Sequence, residues 1–188
     1  MAERLLKLRA LASAALAVAL TAMPLPSRAQ DRSLEYAVKA AYLYKFAPFV
    51  EWPPRAFTSP AAPLQLCVLG ADPFGSSLEL AVNGQRVGGR PVAVRRLQRV
   101  DVASGCHILF VGDSRAQSAL DAIKAVRGSP TLTVADGGSD IGAIIRFVVR
   151  DNRVRFDIDT AAAAANGVTI SSKLLSLAMS LRGSGAAS

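Results

Sequence analysis

The thiol and imidazole chemistry open to this 188-residue chain rests on three residues, Cys67, Cys106 and its only histidine, His107. A thiolate nucleophile needs a base beside it. Cys106 and His107 are consecutive, and in a strand consecutive side chains point to opposite faces, so no thiolate–imidazolium pair forms between them. A single histidine also falls short of a Cys/His zinc set. In an oxidising compartment the two thiols bond if the fold brings their Cα atoms within about 4.4–6.8 Å. A bridge closing a loop of roughly 40 residues contributes about 3–4 kcal/mol in the chain-entropy model. The other reading is two small buried thiols that pack and do nothing more.

Three further clusters could hold a ligand. Asp136-Gly137-Gly138-Ser139-Asp140 resembles part of a calcium loop, but its ladder of oxygen ligands is incomplete. Phe147 and its apolar neighbours stand where a bidentate glutamate belongs, so an ordinary turn is expected. Gly84, Gly88 and Gly89 lack the strand-to-helix spacing of a dinucleotide fingerprint. Thr169, Ser171, Ser172 and Lys173 surround the expected start of the last helix, where backbone N–H groups favour an anion or an acidic partner side chain. The same residues also serve as plain helix caps. With no nucleophile–base pair and no metal set, neither catalysis nor a cofactor is expected.

These residues sit in a chain whose first 29 residues read as an export signal. Arg4, Lys7 and Arg9 precede an apolar run from Ala10 to Met23, and Ser27-Arg28-Ala29 places small residues at −3 and −1, so cleavage is expected after Ala29. The apolar run is shorter than the ~18–20 residues of a spanning helix. Losing four basic residues and one acid lowers the net charge from +8 to +5, which suits acidic partner surfaces or anionic lipid. Without interleaved aromatic and basic residues, nucleic acid is set aside. Hydrophobic residues make up 51% of the chain, enough for one globular domain over 30–182, followed by a flexible tail over 183–188.

Ser33 is read as capping a helix that carries Leu34, Ala37, Val38, Ala41 and Lys45 along one side and closes at Pro48. Phe49-Val50-Glu51-Trp52 then runs into Pro53-Pro54, an extended turn. Leu64–Gly70 reads as a buried strand, and Asp72 caps a helix from Pro73 to about Val82, ended by Asn83-Gly84. Strands are expected at Pro91–Leu97, Cys106–Val111 and Thr131–Ala135, with a helix between the last two capped by Ser114. Ile144–Arg150 and Arg153–Asp159 form a hairpin about Asp151-Asn152, whose second arm has a wet face of Arg153, Arg155, Asp157 and Asp159. Thr160–Ala165 is a short helix stopped by Asn166-Gly167, and a last helix runs from Ser171 or Ser172 to about Leu181. This order gives a single three-layer α/β domain with a mixed sheet of about six strands ending in an antiparallel hairpin.

Several blocks together carry a family resemblance: Ala41–Phe46 followed by Phe49-Val50-Glu51-Trp52-Pro53, then Leu66–Gly70, Cys106–Phe110, Arg153–Ile158 and Ile170–Ala178. In this order they resemble the YfiR family. The resemblance implies a non-enzymatic periplasmic repressor that binds the periplasmic domain of an inner-membrane diguanylate cyclase, lowering cyclic di-GMP and biofilm formation. It also implies a redox response through cysteines and favours a Cys67–Cys106 bridge. A second cysteine pair, found near the hairpin in some members, is absent between Gly137 and Asp159. The chain is not expected to span the membrane once cleaved, and its hairpin edge suits a homodimer. The alternative reading is a periplasmic small-ligand-binding protein for sensing or transport.

Overall fold

The computed structural model describes residues 28–138 and 140–183. The chain divides into two compact units, 1–32 and 33–188. Of the first, only 28–32 are described, and they are helical. The expected signal lies almost wholly outside the described residues, as does the tail beyond Gly183.

Helix α1 spans Arg28–Phe46, so Ser33 lies inside it and is not its cap; nothing from Arg28 to Arg32 breaks a helix. Its buried side also differs from the expected stripe. Leu34 is 67% exposed and Val38 38%, while Lys39, Ala40, Leu43 and Phe46 are buried. Tyr36, Lys39, Ala40, Leu43, Phe46 and Ala47 keep helical spacing, but the lysine in their midst disguises the stripe. Lys39 bonds to Glu35 one turn earlier and to Asp136 Oδ1 at 2.5 Å, and its Nζ lies 4.7 Å from the Tyr36 ring centroid. The ammonium is thereby paired where water cannot reach it.

One 3₁₀ turn, Ala47–Phe49, leads to strand β1 (Val50–Glu51). The main sheet is built from β2 (Leu64–Leu69), β3 (Arg86–Val87), β4 (Arg90–Leu97), β5 (Ile108–Val111), β6 (Leu132–Asp136), β7 (Ile145–Arg150), β8 (Arg153–Asp159) and β10 (Leu181–Arg182), in the order β10-β8-β7-β6-β5-β2-β4-β3. Six of these strands match the expected set. The two-residue β3 and β10 raise the number to eight, and β10 lies outside the hairpin that was expected to end the sheet. Strands β4, β2, β5, β6 and β7 are parallel, and β8 is antiparallel to β7.

The parallel crossovers put helices on both faces. From β2 the chain crosses through α2 (Ser76–Val82) to β4, and from β5 through α3 (Ala119–Ala125) to β6, in the opposite direction along the sheet. Right-handed crossovers running opposite ways place their helices on opposite faces. Accordingly Leu78 and Val82 join α1 in the large core with Leu66, Val68, Ile108, Phe110 and Phe147. Ala122 joins Cys67, Leu69, Leu109 and Val111 in a smaller core on the other face. Where the crossovers diverge, Ala71 N–H donates to the Asp113 carbonyl at 2.7 Å. A Cβ on Gly70 would stand 2.2 Å from that oxygen, so only glycine fits this crossing.

Helix starts were the least accurate expectation. Asp72 accepts the Phe74 N–H in a turn, and Gly75 at φ +52° delays α2 to Ser76. Ser114 donates to the Gln98 carbonyl, leaving Ser118 to cap α3. Helix α4 (Thr160–Ala165) stands where expected, with Asp159 as cap. After β9 (Thr169–Ile170), α5 is a single turn, Ser172–Leu175. The chain then straightens, because Met179 N–H donates to Phe156 O and Ser180 O accepts from Ile158 N–H. That edge pairing ends the helix that Leu177 and Leu181 were expected to continue; Leu177 is 60% exposed. The wet face of β8 is also narrower than expected, since Asp157 is buried against Arg146 and Ser180.

The Lys39 pairing predicts an asymmetry. Lys39→Met leaves two partly exposed carboxylates that water can solvate, whereas Glu35→Gln with Asp136→Asn leaves a buried ammonium without counter-charge. The double variant should lose about 3–5 kcal/mol of unfolding free energy in urea titration, and Lys39→Met markedly less.

Candidate functional site

Cys67 and Cys106 are joined as a disulfide with Cα atoms 5.8 Å apart. Cys67 belongs to the face of β2 that looks toward α3. Cys106 does not sit within β5 as expected. It lies just before the strand, where Gly105 at φ +65° turns the chain out of the 3₁₀ turn Val102–Ser104. Both residues are buried, Cys67 completely, so a reductant reaches the sulfurs only when this face opens locally. The bridge ties β2 to the start of β5 inside the smaller core. Closing a loop with a sequence separation of 39 residues stabilises by about 4 kcal/mol in the chain-entropy model. Replacing both cysteines with serine should lower the thermal midpoint in scanning calorimetry by roughly 8–16 °C.

The neighbouring His107 is buried on a different set of contacts. Its Nδ1 accepts the Gln65 backbone N–H at 3.0 Å and its Nε2 lies 2.9 Å from the Ala56 carbonyl, which fixes the proton on Nε2. The ring stacks on Phe57 at 4.2 Å, the Arg90 guanidinium covers the far side of Phe57 at 3.8 Å, and Trp52 meets both rings edge-on. Burial lowers the imidazole pKa below its ordinary 6.5, the nearby Arg90 charge lowers it further, and the Ala56 carbonyl partly offsets both. The unfolded chain therefore takes up a proton at higher pH than the folded one. Stability from the neutral ring is full above about pH 6.5 and is lost as the pH falls below it. Thermal midpoints measured across this range should fall with acid more steeply in the unaltered protein than in His107→Gln.

The most composite feature joins blocks far apart in the chain. Pro48 ends α1, and Val50 and Glu51 pair antiparallel with Ile170 and Thr169 of β9. Ser171 N–H extends the ladder to Phe49 O at 2.9 Å. Upstream, Phe46 packs edge-on to Phe156 at 5.1 Å and stacks with Tyr42, so these aromatics are core. Ser171 Oγ accepts the Leu174 N–H, and Leu174 fills the core. Lys173 Nζ lies 5.8 Å over the Phe49 ring, while Thr169, Ser172 and Lys173 are exposed. The four flagged residues thus form the rim of a two-stranded ladder above a one-turn helix, with the Ser171 hydroxyl already used as cap.

The glycine-rich loop divides its acids between structural partners. Asp136 pairs with Lys39, and Asp140 accepts the Gly142 N–H and pairs with Arg182; Ser139 lies outside the described residues. Among the described residues no group of three or more metal-ligating side chains comes together, and no helix is long and apolar enough to cross a membrane. Lys39 and the cage over His107 escaped the sequence reading. A lysine framed by apolar residues at helical spacing is the one signal that could have exposed the first.

The architecture defines a three-layer α/β domain, braced by a disulfide and carrying a ladder-mounted rim. A family model described as YfiR/HmsC-like matches residues 36–179, and the chain belongs to that family. It is a family of periplasmic regulators that act on membrane diguanylate cyclases. No curated protein sequence matches the chain.

Proposed function

We propose that the chain is a periplasmic repressor that holds a membrane diguanylate cyclase inactive by binding its periplasmic domain, so lowering cyclic di-GMP and biofilm formation. The observation that carries this reading is the family match over residues 36–179. Export by residues 1–29, with cleavage after Ala29, delivers the domain to an oxidising compartment, where a buried Cys67–Cys106 bridge is chemically at home. A redox response runs through that bridge, slowly, because reduction waits on local opening of the smaller core. The rim of Thr169, Ser171, Ser172 and Lys173 contributes a partner contact. Deleting the protein in its host should raise cyclic di-GMP, measured by mass spectrometry, and restoring it should bring the level down. An unchanged level with the cognate cyclase co-expressed would remove this function.

A second reading, small-ligand binding for sensing or transport, draws support from a cleft of about 340 Å³ at the C-terminal ends of β5 and β6. Tyr36, Phe110, Asp113, Asp136 and Ile141 line it, at the edge where parallel α/β sheets take ligands.

A further inference from the structure

We infer that the β7–β8 hairpin is a docking surface for an extended, acidic segment of a protein partner. The turn residues Asp151 and Asn152 both have positive φ, +51° and +54°, the backbone of a two-residue turn that fixes hairpin register. In that register Arg150 stands directly opposite Arg153, Val148 opposite Arg155, and Arg146 opposite Asp157. Directly opposed residues share a face, so four arginines lie together. Arg146 is neutralised by Asp157 at 2.8 Å, and Asp157 also accepts the Ser180 hydroxyl. Arg150, Arg153 and Arg155 are exposed and form no ion pair among the described residues. Like charges directly opposite destabilise a hairpin. Asp157 attracts Arg150 as well as Arg146, which leaves Arg153 and Arg155 as the guanidinium groups open to a partner's carboxylates, with which they pair through two parallel hydrogen bonds.

The backbone beside these arginines supplies the second observation. Asp159 N–H donates inward to Ile144 O, so the odd-numbered groups of β8 face β7 and the even-numbered ones face outward. On that outer edge Phe156 O and Ile158 N–H are taken by Met179 and Ser180, and β10 pairs only with Ile158 and Asp159. Val154 N–H and C=O and Phe156 N–H face outward without a backbone partner among the described residues. A strand added here would lay alternate side chains beside Arg153 and Arg155 on one face. On the other it would meet Val154 and Val149, the latter 49% exposed. The fitting segment therefore alternates acidic with apolar residues and adds by main-chain pairing. A lipid headgroup would meet the arginines but leave the open edge unused.

This surface rests on the regulatory reading for its natural partner but can be tested apart from it. The processed protein, ¹⁵N-labelled, is titrated with a peptide of alternating Glu and Val, and with one of alternating Lys and Val. The Glu peptide should shift the Val154 and Phe156 amides, protect them from exchange and bind more weakly as salt rises. Arg153→Gln and Arg155→Gln should each weaken binding about tenfold. Both relieve repulsion, so their thermal midpoints should be unchanged or higher, separating lost binding from lost folding. Four results would each overturn the inference: no response at these amides, an equal response to the Lys peptide, binding only to phosphatidylglycerol vesicles, or self-association through the same amides. If the arginine variants restore low cyclic di-GMP in the deletion host as well as the unaltered protein does, the surface fails and the regulator stands. If deletion itself changes nothing, the regulator fails whatever the peptide does.

Discussion

Everything on the larger face of the sheet depends on α1 burying its Tyr36–Phe46 stripe, and that burial requires Lys39 to keep its counter-charges. The ammonium meets Asp136 at the end of β6, so one ion pair sets the position of the helix against the sheet. At its far end the helix delivers Phe46 between Tyr42, Phe147 and Phe156. Pro48 then stops it, leaving Val50 and Glu51 extended where β9 can pair with them. A shift of α1 would thus misplace the segment that carries Trp52 and the rim that carries Lys173.

The opposite face is built on a smaller scale. A seven-residue α3 covers Leu69, Leu109 and Val111, and both cysteines of the disulfide belong to that cluster. Apolar burial there is limited, so the covalent tie matters more than a bridge in the larger core would. In the proposed redox response, opening the bridge loosens the start of β5 and with it the Trp52–Phe57 cage over His107.

Local chemistry made part of this legible in the sequence. Asp151-Asn152 specify their turn because they tolerate left-handed backbone, Asn166-Gly167 stop α4 because Gly167 takes φ +66°, and the short apolar run from Leu64, closed by Gly70, reads as an inner strand. The misses trace to long-range contacts. Lys39 concealed the buried stripe because its partner lies on another element. Met179 and Ser180 left the helical state to pair with β8. Ser114 gave its hydroxyl to Gln98 and ceased to be a cap. At the candidate site residue type and compartment made a Cys67–Cys106 bridge one of two readings beside packed thiols, and the family resemblance favoured the bridge. The meeting of Glu51 with Thr169 was not legible, because a two-residue ladder between distant segments leaves no periodic signal in either.

The central claim, repression through direct binding, is most directly tested by affinity capture of the processed protein from detergent-solubilised membranes of its own host, with mass spectrometry of what is retained. The account predicts recovery of a membrane diguanylate cyclase. Retention of no signalling enzyme, in oxidising and in reducing buffer alike, would contradict it.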